Sequence, residues 1–142
     1  MAELDALRSE SQTYLGKMVI SPERMERVRA EFRQLPGLRA TPESDLRYIE
    51  GLLDLPHGTV KHFYCIPDAS SATCACGREP NAAEVIAHAL RNGVHSRQIV
   101  RDAVIGVQPI FERSDGGREA ACLRCSRRIK LLGYLGEDYI YA

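Results

Sequence analysis

The sequence predicts an α+β fold, with an N-terminal helical layer over residues 1–57 leading into a stapled α+β domain over residues 58–142. Three observations carry that expectation. Apolar residues recur at helical spacing three times before residue 56, with Ser-Pro or Thr-Pro ahead of two of these stretches. β-branched and aromatic residues then concentrate in 59–66 and 107–113, and a Ser-Asp-Gly-Gly turn after the second run predicts a β-hairpin. Four of the five cysteines form two close pairs, which flank an inserted pair of helical stretches. At 142 residues the two segments are expected to pack as one compact unit.

The elements follow in order. Leu4, Leu7, Tyr14, Leu15 and Met18 form the first stripe, interrupted by Ser11. Ser21-Pro22 supplies an N-cap and a first helical residue for a second helix, whose stripe is Met25, Val28, Phe32 and Leu35 and whose stop is Pro36-Gly37. Thr41-Pro42 repeats the start signal, and Leu46, Ile49, Leu52 and Leu53 share one face of a third helix bounded by Pro56. Residues 59–66, TVKHFYCI, read as a strand ended by Pro67-Asp68. Pro80-Asn81 opens a helix carrying Val85, Ile86, Ala89 and Leu90 and closed by Asn92-Gly93. Ser96 caps another, with Ile99, Val100, Ala103 and Val104 on one face and Gly106 after it. Val107–Arg113 and Arg118–Cys122 are the expected hairpin strands, and SRRIKLLGYLG after Cys125 reads as a basic helix, with a short strand in EDYIYA.

Bulk composition narrows the function. Hydrophobic residues make up 44% and charged residues 27%, ordinary for a globular chain, and without tryptophan the core falls to Leu, Ile, Val and Ala. Nineteen basic and nineteen acidic side chains cancel, which excludes affinity from a broad basic surface. The split is mild: residues 1–60 carry 8 basic and 10 acidic side chains, residues 61–142 carry 11 and 9. The first ten residues lack a basic start followed by an apolar run, and no stretch reaches the roughly 18 apolar residues that cross a bilayer, so a cytoplasmic protein with no membrane partner is expected. In that reducing compartment an odd number of cysteines does not read as a disulfide framework.

Cys74-Ala75-Cys76-Gly77 and Cys122-Leu123-Arg124-Cys125 are separated by 45 residues. A close pair presents two thiolates at the bend of a turn, and two such bends brought together offer four sulfurs at about 2.3 Å from a tetrahedral zinc. Gly77 suits the bend because glycine lets the backbone turn its amides back towards a sulfur. Arg124, Arg127 and Arg128 would offset the charge of four thiolates. An iron–sulfur cluster takes the same ligand set and is the alternative cofactor. This layout resembles treble-clef and zinc-ribbon domains over roughly residues 65–135, and differs from them in its C-x-C first pair and in the two helices between the pairs. The resemblance implies a structural zinc held by Cys74, Cys76, Cys122 and Cys125.

No catalytic set accompanies the cysteines. H-E-x-x-H, G-x-S-x-G and the phosphate-binding G-x-x-x-x-G-K are all missing, as is the His-x-Glu of zinc deaminases. Cys65 reads as a small apolar residue of a strand, and His62, three residues away, faces the opposite side. His57, His62, His88 and His95 are scattered. Residues 81–106 have the spacing of a helix-turn-helix, with Ala89, Gly93, Val94 and Ile99 at its packing and turn positions and Arg97, Gln98 and Arg101 facing outwards. An antiparallel helical pair packed beside the cysteines is the plainer reading. The expected role is therefore a non-catalytic zinc-binding adaptor or assembly component whose partner is another protein. The alternative is a nucleic-acid-binding regulator using Arg97, Gln98 and Arg101 with Arg127 and Arg128.

Overall fold

A computed structural model of the chain describes residues 2–11, 17–93, 95–113 and 118–142. The architecture is α+β, with five α-helices and a mixed sheet of seven strands among the described residues. In chain order these are α1 (Ala2–Ser11), β1 (Lys17–Val19), α2 (Pro22–Phe32), β2 (Arg39–Ala40), α3 (Glu43–Leu53), β3 (Tyr64–Pro67), α4 (Ala82–Arg91), α5 (Arg97–Ile105), β4 (Ile110–Glu112), β5 (Arg118–Ala121), β6 (Arg128–Leu135) and β7 (Tyr139–Tyr141). The strand order is β1-β4-β7-β6-β3-β2, with β5 pairing the first half of β6 on the edge opposite β3. Among the described residues only β4 and β7 run parallel.

Side-chain alternation divides the core into two layers. Phe111, Leu135 and Ile140 point to one face and pack with Leu4, Leu7, Met25, Val28 and Phe32 of α1 and α2. Cys65, Leu131, Tyr134, Tyr139 and Tyr141 point to the other, beneath α3, α4 and α5. The helices of the N-terminal layer are thus distributed over both faces, and this segment also contributes β1 and β2 to the sheet. Burial of these two apolar layers is the principal source of stability.

Several boundaries follow the caps. Ser21 accepts from the Arg24 N–H at 3.1 Å and Pro22 opens α2. Asn81 and Glu84 form a reciprocal capping box at the start of α4, and Ser96 accepts from Ile99 N at the start of α5. At α3 the N-cap is Pro42 itself, one residue later than the Thr41-Pro42 signal placed it. The first helix stops at Ser11, and Met18 belongs to β1; Tyr14 and Leu15 lie outside the described residues.

Two expectations are corrected. The strands around the Ser-Asp-Gly-Gly turn do not pair with each other: β4 lies between β1 and β7, whereas β5 pairs β6. The turn residues 114–117 lie outside the described residues. The basic segment after Cys125 is not a helix but the eight-residue strand β6. Arg128, Lys130 and Leu132 face outwards while Ile129, Leu131 and Gly133 are buried, a period of two. Gly133 is required there, since a Cβ would come within 2.7 Å of the Tyr141 carbonyl oxygen on β7.

Candidate metal centre

Strand β6 brings the two cysteine pairs together. β3 pairs with its second half on one edge and β5 with its first half on the other, both antiparallel to it, so the chain after β3 and the chain after β5 leave the sheet on either side of the start of β6. The Asp68 N–H donates to the Lys130 carbonyl and the Lys130 N–H donates to Ser71 Oγ, extending the attachment through a short 3-10 turn, Ala69–Ser71. The first cysteine turn follows, and the second joins β5 to β6.

Both turns are closed in the same way. In the first, the Gly77 N–H donates to the Cys74 carbonyl at 2.8 Å and the Cys74 N–H to the Arg78 carbonyl at 2.9 Å. In the second, the Ser126 N–H donates to the Cys122 carbonyl at 2.9 Å and the Cys122 N–H to the Arg127 carbonyl at 2.8 Å. The residue after each second cysteine has a left-handed backbone, Gly77 at φ +92° and Ser126 at φ +66°. The C-x-C turn is therefore a one-residue-shorter copy of the C-x-x-C turn.

The four Sγ atoms all lie within 4.8 Å of one another. Across the turns, Cys74 and Cys125 are 3.3 Å apart and Cys76 and Cys122 are 3.7 Å apart. Four sulfurs around a tetrahedral zinc stand about 3.8 Å apart, given Zn–S of about 2.3 Å, so the donor set fits a single ion. Ala120 and Ile129 pack around Cys74, Cys76 and Cys122 and keep that side dry; Cys125 is exposed. As thiols the four compete for ionisation. The Cys76 amide and the Cys125 thiol hold Cys74 down to about 7. At Cys125 the Arg127 amide acts in the same sense, but Cys74, burial and the other two cysteines outweigh it and push the group up to about 12. Four negative sulfurs in one place need a cation.

Glu84 ties this centre to the helices, and sequence reasoning missed it. Its carboxylate is fully buried and accepts from Arg78 Nε at 2.7 Å, Arg78 Nη2 at 2.9 Å, Asn81 N at 3.2 Å and Leu123 N at 3.1 Å. Arg78 closes the first turn and Leu123 lies inside the second, so one side chain of α4 grips both. Asp45 of α3 completes the cluster, accepting from Arg78 Nη2 at 3.2 Å and Asn81 Nδ2 at 2.6 Å. The Asn-x-x-Glu spacing at the start of α4 was the available signal.

The other candidate residues stand apart from any common site. Arg97 donates to the Leu52 carbonyl and pairs with Asp54 of the segment after α3 at 3.1 Å. Gln98 donates to Asp102, and Arg101 is half-buried. Arg127 is exposed, and Arg128 lies 3.4 Å from Glu119 across the β5–β6 pair. Val94 lies outside the described residues. Cys65 is buried in β3 away from the four, and burial pushes its thiol up to about 12. No helix among the described residues is long and apolar enough to cross a membrane.

A family model described as Domain of unknown function (DUF8243) matches residues 11–140. No curated protein and no solved structure matches the chain.

Proposed function

The chain belongs to the DUF8243 family, and we propose that it is a small non-catalytic adaptor or assembly component stapled by one zinc ion on Cys74, Cys76, Cys122 and Cys125. The observation that carries the metal is the convergence of four Sγ atoms from two separate turns to within 4.8 Å. Soft thiolates in a tetrahedral arrangement suit zinc, and four of them fill its coordination, leaving no position for a substrate or a reactive water. Thiolates around an iron–sulfur cluster must spread to accommodate several irons and bridging sulfides, so the close spacing favours a single ion over the cluster. When bound, the ion supplies a cross-link between the two turns and neutralises half of the four thiolate charges.

Metal analysis of the purified chain is the test. One zinc per chain and a colourless solution are expected; iron with visible absorption would defeat the assignment.

The adaptor role is supported by the closed metal site and by apolar side chains left at the surface. Ile99 is 43% and Val107 65% exposed, and the two line one cleft with Lys17 and Tyr139. Affinity capture with the zinc-loaded chain is expected to retain a protein that I99D and V107D variants lose. Capture unaffected by either substitution counts against it.

One observation favours the nucleic-acid reading. Arg124, Arg127, Arg128 and Lys130 are all exposed around the second cysteine turn. Against it, Glu119 pairs with Arg128, and the thiolate centre is itself anionic. Phosphate-mediated binding falls steeply with salt, whereas salt-independent or absent binding eliminates it.

A further inference from the structure

The four sulfurs are not equivalent. Cys74 and Cys122 are 4% and 2% exposed, Cys76 is half-buried, and Cys125 lies at the surface. A metal-bound cysteine is a thiolate at neutral pH, and the thiolate is the form that peroxides oxidise. Three exposed arginines, Arg124, Arg127 and Arg128, flank Cys125 in sequence. Exposure makes Cys125 the ligand that a dissolved peroxide reaches first.

A close sulfur neighbour of Cys125 belongs to the other turn. Cys74 Sγ stands 3.3 Å away, while Cys76 and Cys122 form the second cross-turn contact at 3.7 Å. Cys65 is in the same tryptic peptide as Cys74 but is fully buried in β3, and serves as an internal inaccessible control.

Resting on the zinc assignment above, we infer that Cys125 is a site of oxidative modification by hydroperoxides, resolved by Cys74 into a cross-turn disulfide that expels the metal. In the first step the Cys125 thiolate attacks hydrogen peroxide; the O–O bond breaks, an S–O bond forms, and hydroxide leaves as Cys125 becomes a sulfenic acid. In the second step the Cys74 thiolate attacks that sulfur; the S–S bond forms, the S–O bond breaks, and a second hydroxide leaves. Two thiolates lose two electrons in total and one peroxide gains them. Cys76 and Cys122 alone cannot retain the ion, because a structural zinc needs four ligands.

The pairing has a consequence that separates oxidation from simple metal loss. A Cys74–Cys125 disulfide joins the same two turns that the ion joined, so the β3–β6–β5 attachment stays tied after the metal leaves. Chelation removes the tie altogether. The centre would then exchange one cross-link for another.

The experiment adds one equivalent of hydrogen peroxide to the purified, zinc-containing full chain. Zinc release is followed with a chromophoric chelator, and the disulfide is mapped in a non-reducing tryptic digest. The expected product links peptide 62–78 through Cys74 to peptide 125–127, releases one zinc per disulfide, and melts above the chelated protein. Dithiothreitol with added zinc restores the starting state. A C125H variant preserves four ligands as Cys3His; it is expected to hold zinc and release it more slowly under peroxide, on the order of tenfold. Zinc retained under peroxide, a Cys122–Cys125 link, first oxidation at Cys65, or a C125H variant that releases zinc as fast as the parent would each overturn the inference while leaving the zinc assignment intact. Protein that never contained metal would instead sink the zinc assignment, and this inference with it.

Discussion

At the scale of single residues, two buried carboxylates illustrate how charge is kept inside a small chain. Glu84 accepts four hydrogen bonds, two of them from the Arg78 guanidinium, so its burial is compensated. E84Q keeps the shape but gives Arg78 a neutral partner and offers an amide N–H where the Leu123 or Asn81 N–H needs an acceptor. It should lose about 2–3 kcal/mol in denaturant unfolding and yield its zinc to a chelator more readily, because both cysteine turns rest on this side chain. Unchanged unfolding and chelator resistance would show that the turns stand without it. Glu50 differs in kind. Burial alone would raise its pKa, but the Val60 and Gly58 amides, with Arg47 and His57, outweigh burial and hold it below the ordinary carboxylate value. A folded-state pKa below the unfolded one contributes stability that is complete above the ordinary glutamate value of about 4.3. That contribution is lost as pH falls through the folded value. The stability gap between the parent chain and E50Q should therefore be widest at neutral pH and shrink in acid. A gap that widens in acid would reverse the assignment.

At the scale of elements, the cysteine turns make a matched pair of predictions. Gly77 and Ser126 occupy equivalent left-handed positions, but only one is a glycine. G77A should cost about 1 kcal/mol, and S126G should gain up to about 1 kcal/mol, since a side chain is strained at positive φ and glycine is not. Equal and opposite shifts in the melting temperature of the zinc-loaded protein would be the signature; destabilisation by S126G would mean its side chain contributes more than its backbone costs. Most of the elements were legible for similarly local reasons. Ser21, Asn81 and Ser96 mark helix starts because their side chains satisfy orphan amides, and the two cysteine pairs mark turns because little else explains such spacing. The errors came where local chemistry is ambiguous. Leu131, Leu132 and Leu135 imitate a helical stripe behind two arginines, and the alternation of Ile129, Leu131 and Gly133 beneath it was overlooked. The hairpin failed because a turn sequence specifies that the chain bends, not which strands finally pair. Phe111 on β4 is drawn to the α1–α2 layer, and the small Ala120 on β5 fits against the cysteine cluster. Glu84 was missed because its role depends on Arg78 and Leu123, and the latter contact spans 39 residues.

At the scale of the whole molecule, the question is how far a centre at one end governs the rest. The two large apolar layers on either face of the sheet do not include the sulfurs of the four ligands, which belong to a smaller cluster with Ala120 and Ile129. Yet the layers and the centre share β6, and Glu84 with Asp45 connects the cysteine turns to α4 and α3. A metal that binds the folded chain and not the unfolded one stabilises it by mass action, and for structural zinc that linkage is on the order of 10 kcal/mol, comparable to the full net stability of a small domain. Excess chelator should therefore lower the melting temperature steeply and remove much of the folded signal. C122S should behave like the chelated parent whether or not zinc is supplied, since three thiolates and a hydroxyl do not reproduce the site. Falling pH should act in the same direction as the chelator, because protons compete with zinc for the thiolates. The decisive measurement is a pair of melts of the parent chain, with and without chelator, followed by circular dichroism. If the two coincide while metal analysis shows that zinc has left, the sheet and its two apolar layers are sufficient by themselves. The cysteine centre would then be an attachment to the fold and not its staple.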